Sequence, residues 1–522
     1  MIVAAANFAG LTVARQLRRG REFAMREALG AGRLRLFRHL AIESVMLSTA
    51  GGVFGTLLAA SGLGVLRSFA TRVTPRAGEI RIDATVLVFA VLTCVIVGLI
   101  AAAAPFIRSA STASVIDRLR QGNSGAMSGR ADVRIRRAFV FAQVAIAFVL
   151  LVGAGLVGRS LMHLEQVDAG FDGHNVMSAR VSLNFSKYNT RQKSLAFVQQ
   201  LLARLEATPG LSANAVGSDF PLNNAVSSAN SFIISGVETK PGDAPRGDFT
   251  SVSPRYFDVV GIPIKRGRTF LPTEGDTVSA PVIISQRLAT TYWKNRDPIG
   301  TRISVDSGRT WNFVVGVAGD VHQHGLNQDI VDEVYYPASV FPPGDLRILV
   351  RVQGPSAPIA ASLRQIVHEI DPQQAIVELR TLDQVRGNRL SEPRLTAALL
   401  MTFAIVALIL AASGLAGVIG FSVSQRIPEI AIRMALGAER GNIVGLVSRD
   451  GLSIVAVGIL AGAAASLALG RFVRSLLFGV EPTDAATFAA VVLVLVATVI
   501  VACFGPARRA LTADPADAMR AG

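Results

Sequence analysis

Arg21-Glu-Phe-Ala-Met-Arg-Glu-Ala-Leu-Gly-Ala31 recurs in this chain as Pro428-Glu-Ile-Ala-Ile-Arg-Met-Ala-Leu-Gly-Ala438, an offset of 407 residues. At the same offset Arg19 aligns with Arg426, Arg33 with Arg440 and Glu43 with Asp450, while Gly51 and Gly55 align with Gly458 and Gly462. Asp83 and Pro105 align with Asp484 and Pro506 after a six-residue shift. A string of this length does not return by chance in the same surroundings. The chain therefore holds two homologous halves, joined head to tail.

Both copies lie beside long apolar runs, near 2–14, 41–66, 84–106, 136–160, 396–424, 450–470 and 486–506. All but the first are long enough to cross about 30 Å of hydrocarbon, which takes about 20 helical residues. The composition agrees: of the 522 residues 51% are hydrophobic and 17% charged, where a soluble domain carries about 25% charged. The net charge is +15. Between His163 and Pro393, however, 22 Lys and Arg stand against 23 Asp and Glu, so the surplus lies in short segments beside the apolar runs. Basic clusters fall at Arg15–Arg38, Arg118–Arg137, Arg426–Arg449 and Arg508–Arg520. If every run spans, all four lie on one side of the bilayer, and the positive-inside rule makes that side cytoplasmic. A nucleic-acid partner is excluded on the same ground.

The fold class read from this pattern is a multi-span α-helical membrane protein with an extracytoplasmic α+β domain. Residues 1–120 form a first half of three spans, the first of them shortened, and 121–135 a Gly/Ser/Arg cytoplasmic linker. Residues 136–162 form a span, 163–393 the extracytoplasmic domain and 394–522 a second half of three spans. In the outer region Met177, Ala179, Val181 and Leu183 alternate with polar residues, as in a half-buried strand. Leu195, Val198, Leu202 and Leu205 follow at helical spacing, and a short strand follows near 213–216. The order recurs in Ile348, Val350 and Val352, then Ile359, Leu363, Ile366 and Ile370, then Ala375, Val377 and Leu379. Two β-α-β units around a strand-rich insert predict two lobes.

The repeated string is helical by composition, and Gly30 or Gly437 is placed to end the helix in a left-handed cap. Met25 and Leu29 are four apart, like Ile432 and Leu436, and share a face. Glu22 and Arg26, like Glu429 and Arg433, are spaced to pair. Two readings stand: a helix resting on the lipid headgroups, or a docking element for a cytoplasmic partner. The duplication favours docking, because two like knobs suit a two-fold symmetric partner. The glycine pairs Gly51/Gly55 and Gly458/Gly462 read as GxxxG helix-packing sites; whether the contact joins the halves is open.

Catalytic readings fail. None of the five lysines sits in a GxxxxGK[ST] phosphate loop. The spans are nearly free of ionisable groups, which disfavours a proton- or ion-coupled carrier. His322 and His324 read as satisfied surface histidines and not as metal ligands. Cys94 and Cys503 lie in apolar runs and read as small core residues. No catalytic, cofactor or metal residue is expected.

The repeated string followed by a Gly-rich span resembles the MacB/FtsX-like permeases of ABC transporters. Ser251-Val-Ser-Pro-Arg-Tyr-Phe257, Gly261-Ile-Pro-Ile-Lys-Arg-Gly267 and Val314-Val-Gly-Val-Ala-Gly319 are similar to the MacB-like periplasmic core domain. The duplicated layout resembles the tandem permeases of acidobacteria. The resemblance implies a bacterial inner-membrane permease for export or efflux, gripped at Glu22–Ala31 and Glu429–Ala438 by a dimeric ABC ATPase. That partner would use ATP, while this chain would bind no cofactor. Membrane lipid, and a periplasmic adaptor or outer-membrane component, complete the implied partners. The alternative is an ATPase-driven signal relay to a cell-envelope enzyme or sensor. In one respect the chain departs from a tandem permease: only its second half has an outer domain and a leading span. The repeat would start the first half about 13 residues before Met1, so a preceding outer domain and span are expected.

Overall fold

The computed structural model describes residues 32–71, 78–109, 126–223, 230–237, 245–274, 279–294, 296–435 and 440–511, with isolated positions between 4 and 25. In chain order, helices α1 (Arg33–Ala70), α2 (Ala84–Ser109) and α3 (Ala126–Gln166) come first. There follow β1 (Val176–Ser182), α4 (Arg191–Glu206), β2 (Leu211–Gly217), β3 (Asn230–Ser231), β4 (Ile233–Ile234) and β5 (Arg246–Val252). Next come α5 (Tyr256–Val260), β6 (Ile264–Gly267), β7 (Pro281–Ser285), α6 (Gln286–Trp293), β8 (Arg302–Ser304), β9 (Asn312–Ala318) and β10 (Glu333–Pro337). The domain ends with β11 (Asp345–Val352), α7 (Ser356–Ile370), β12 (Ile376–Thr381) and α8 (Leu382–Arg389). Last are α9 (Ser391–Ala435), α10 (Arg440–Val473) and α11 (Ala485–Leu511). The chain divides into one unit of Met1–His163 with Glu392–Gly522 and another of Leu164–Ser391.

In the first unit, six helices among the described residues are long and apolar enough to cross a membrane. They coincide with the six long runs read from the sequence; the short run 2–14 lies outside the described residues apart from isolated positions. The repeat is visible in how the last helix of each half begins. Asp83 Oδ1 accepts the Val86 N–H at 2.9 Å and Asp484 Oδ2 accepts the Thr487 N–H at 2.9 Å. Each aspartate thus satisfies an amide that the first turn of a helix leaves orphaned.

The second half packs as a four-helix cluster. Val140, Val144, Phe148 and Val152 of α3 recur every four residues, as do Ala407, Ala411, Leu415 and Ile419 of α9. With Ile454 and Val455 of α10 and Val491, Leu495 and Val499 of α11 they form one apolar core. At its outer end Arg159 pairs with Asp484 at 2.5 Å, and Ser160 Oγ accepts the Phe478 N–H at 2.7 Å. In the first half the described residues show α1 packed against α2. Ser48 Oγ donates to the Cys94 carbonyl at 2.8 Å, and Gly98 lies against Val45 and Ser48. The halves touch where Asn7 Nδ2 donates to Ser413 Oγ at 3.1 Å. The repeat-mate of Asn7 is Gly414, so the contact joins nearly equivalent positions, as a two-fold relation requires.

The second unit is built on one mixed sheet of twelve strands, ordered β12-β1-β11-β2-β5-β10-β7-β9-β8-β4, with β3 on β5 and β6 on β9. Both expected β-α-β units form, and they interleave. β11 lies between β1 and β2, pairing antiparallel with each. Met177, Ala179 and Val181 of β1 and Ile348, Val350 and Val352 of β11 present one face to Phe197, Leu201 and Leu205 of α4 and Leu363 and Val367 of α7. The insert has its own core, including Phe232, Val282, Ile284, Trp293, Val314 and Tyr336. The two predicted lobes are therefore two cores on a continuous sheet. The strands joining them, β2 and β5, share one pair, Gly217 with Val252.

Candidate functional site

The expected coupling residues fall mostly outside the described residues: Glu22, Arg26, Leu29, Gly30, Leu436 and Gly437 are among these. Met25 is helical and 60% exposed. Glu429, Ile432 and Arg433 lie in the last turns of α9. The sequence separates a span at 396–424 from a loop helix at 428–438, whereas α9 is a single helix of 45 residues through Ala435. Its length, roughly 68 Å at 1.5 Å per residue, is about twice the hydrocarbon thickness.

The two GxxxG pairs behave differently. A Cβ built at Gly458 would lie 2.7 Å from Val144 Cγ1, and one at Gly462 would lie 2.7 Å from Phe148 Cβ. These glycines allow α10 to approach α3 more closely than any side chain would permit. At Gly51 and Gly55 nothing among the described residues lies within 4 Å. In the first half it is Gly52, against Cys94, that makes the close approach. The described residues thus show the expected packing contact at the second pair and none at the first. The contact at the second pair is with α3 and does not join the halves.

In the outer domain the structure assembles a cluster that the sequence does not advertise. Glu333 opens β10 and lies opposite Asp248 in the parallel register with β5. Its carboxylate accepts the Thr250 hydroxyl at 2.6 Å, while its backbone N–H donates to Ser285 Oγ at 3.1 Å. His324 Nε2 lies 2.5 Å from Asp248 Oδ2, so this histidine is satisfied, as expected, but half-buried and not on the surface. His322 Nδ1 meets the Gln328 carbonyl. Nearby, Asp219 accepts the Asn223 amide at 2.6 Å, and the Tyr256 hydroxyl donates to the Asp219 carbonyl. Tyr256, Phe257 and Tyr335 are buried together beside the β2–β5 joint, with Phe257 and Tyr335 centroids 5.0 Å apart.

Burial pushes the Glu333 carboxyl up to about 8 against the opposing Thr250 bond, and Asp248 pushes it further the same way. Burial likewise raises Asp219 to about 6, opposed by Asn223. Further along the same sheet face desolvation works against Glu378, yet Arg347 and Arg180 hold it at about 2. Arg180 and Arg347 are cross-strand partners, so Glu378 and Asp345 separate two like charges. No group of three or more metal-ligating side chains occurs among the described residues. The joint can hold a proton.

Comparison with known proteins gives two family matches. Residues 1–113 and 401–515 match the FtsX-like permease C-terminal family, and residues 84–366 match the MacB-like periplasmic core domain family. A macrolide export ATP-binding/permease protein MacB from Bradyrhizobium diazoefficiens is 30% identical over 278 residues, 51% of this chain and 42% of that protein. One from Mannheimia succiniciproducens is 24% identical over 329 residues, 59% of this chain and 48% of that protein. The chain thus spans under half the length of these relatives. The crystal structure of the periplasmic region of MacB from Actinobacillus actinomycetemcomitans aligns with a TM-score of 0.30 at 15% identity, covering 43% of this chain and 96% of that one.

Proposed function

Because the chain belongs to the MacB/FtsX-type permeases of ABC transporters, we propose that it couples a separate cytoplasmic ATPase dimer to its outer domain by mechanotransmission, in export or efflux. The observation that carries this reading is α9. Glu429 and Arg433 lie at one end of an unbroken helix whose other end is Ser391, so a push at the repeated string acts on one stiff element. The ATPase holds the nucleotide, since the 522 residues contain no phosphate loop. The permease sits in the bacterial inner membrane with 163–393 outside the cytoplasm, in contact with lipid and, for export, with a periplasmic adaptor or outer-membrane component. Nearly bare spans suit a machine that transmits motion and opens no polar path through the bilayer.

Purification in mild detergent from native membranes tests this reading. An ABC ATPase is expected to co-purify, and Leu29→Glu or Leu436→Glu is expected to abolish its recruitment without affecting insertion, because an unpaired carboxylate buried in an interface is strongly unfavourable. Good yield of the permease without an ATPase, or unchanged recruitment by both variants, would overturn it.

A further inference from the structure

Five residues other than glycine take a positive φ among the described residues, and four of them, Asn175, Lys294, Ser307 and Glu378, are exposed. The fifth is Leu222, at φ 64 and fully buried. A left-handed backbone is unfavourable for a residue with a Cβ, and it persists only where the surroundings hold it. Here both ends of the residue are held. The Leu222 N–H donates to the carbonyl of Gln323, in the loop between β9 and β10, at 2.9 Å. The Leu222 carbonyl accepts Nε of Arg389, the last residue of α8, at 2.9 Å. The turn before it is pinned as well. The Ser218 N–H donates to the Ser251 carbonyl, the Tyr256 hydroxyl to the Asp219 carbonyl, and the Arg347 guanidinium lies over the Phe220 ring.

The two residues that grip Leu222 carry unpaired atoms of opposite kind. Arg389 Nη2 is a buried donor and Gln323 Oε1 a buried acceptor, and neither has a partner among the described residues. Each unmet group is unfavourable where it stands. A change of φ at Leu222 turns its carbonyl relative to its own N–H. The carbonyl can therefore leave Arg389 while the N–H stays on Gln323.

We infer that Leu222 is a two-state catch between α8 and the insert of the outer domain. In the held state, seen here, Arg389 bonds the Leu222 carbonyl. In the released state Leu222 relaxes to negative φ, and Arg389 Nη2 donates to Gln323 Oε1. α8 is placed to work the catch. Arg386, one turn before Arg389, donates to the Glu165 and Val167 carbonyls where α3 ends, and α9 follows from Ser391. α8 thus ties the chain entering the domain to the chain leaving it. On the far side of the catch, His324 follows Gln323 and pairs with Asp248 of β5. A shift of α8 is thereby passed to the insert. That use rests on the mechanotransmission proposed above, whereas the two states of Leu222 do not.

The test uses the full chain in lipid nanodiscs without an ATPase, so its failure leaves the coupling reading to its own test. Cys94→Ala and Cys503→Ala form the background, with spin labels at Asn388→Cys on α8 and Thr291→Cys on α6, both exposed positions. Electron–electron distance measurement is expected to show two populations. Leu222→Gly removes the penalty on positive φ and should raise the ratio of held to released by roughly tenfold. Gln323→Met removes the acceptor of the released state and should shift the ratio the same way. Arg389→Met removes the held bond and should deplete the held population. Leu222→Gly also loses a buried side chain and can fail to fold. Gln323→Met breaks none of the hydrogen bonds described, so it keeps the proposal falsifiable. One distance distribution shared by the parent and the variants, or the same direction of shift in Gln323→Met and Arg389→Met, would overturn it.

Discussion

Glu333 and Asp248 face each other across the parallel β5–β10 pair, and that placement gives the outer domain an unusual pH dependence. Glu333 is held up to about 8, so at neutral pH it keeps a proton that an unfolded chain has already released. Between its ordinary value of 4.5 and about 8 the folded state binds the extra proton, so stability falls as pH rises through that window. Asp219 acts in the same direction between 3.8 and about 6. Asp371, held at about 2 chiefly by Lys187, and Glu378 act the opposite way, but only in acid below their ordinary values. Hydrogen exchange of the β5 and β10 amides, corrected for intrinsic rate, should therefore show more protection at pH 6 than at pH 8. The slope from one proton is at most about 1.4 kcal/mol per pH unit. Glu333→Gln keeps the shape, removes the titration and should flatten that slope; an unchanged slope in the variant would place the effect elsewhere. Nothing near Glu333 in the sequence marks it as buried. Its surroundings come from Ser285 and Thr250, 48 and 83 residues away.

At the scale of elements, what was legible is what depends on local period. Six spans and the strand-helix-strand order of 176–217 and 345–381 follow from spacing along a few turns or a few alternations. Less legible was where one helix stops and the next begins: Ala, Met, Ile and Arg favour helix through 425–435, and no breaker other than Pro428 separates span from loop, so α9 runs on. Also hidden was which GxxxG pair meets a neighbour, since that depends on α3 and not on the glycines. The asymmetry has a direct consequence. Gly458→Leu would force a side chain into Val144 and should destabilise the second half by about 1–3 kcal/mol or more, as overpacking does. Gly51→Leu enters open space and replaces a poor helix former with a good one, so it should be neutral or stabilising by up to about 1 kcal/mol. Thermal unfolding of the two variants in the same detergent compares them directly. Equal losses would mean that both pairs are packed alike.

For the whole molecule, two lines of argument converge on one topology. The first is charge: arginines gather before and at the start of α1, before and at the start of α3, at the end of α9 and the start of α10, and at and beyond the end of α11, while 163–393 is almost neutral. The second is the duplication, which puts Arg21–Ala31 and Pro428–Ala438 at equivalent places in equivalent halves, hence on the same side. An even number of crossings separates those segments from each other, and an odd number separates each from the outer domain. Inverting the arrangement would move four basic clusters across the bilayer together, against the bias that sets orientation during insertion. The consequence is testable without knowing any partner. With Cys94→Ala and Cys503→Ala as background, Ser186→Cys, on an exposed turn of the outer domain, should react with a membrane-impermeant maleimide in cells whose outer barrier alone is opened. Ser124→Cys, in the Gly/Ser linker between α2 and α3, should react only after the inner membrane is disrupted. The reverse pattern would put the repeated strings outside, where no ATP is available, and would remove the coupling role from both at once.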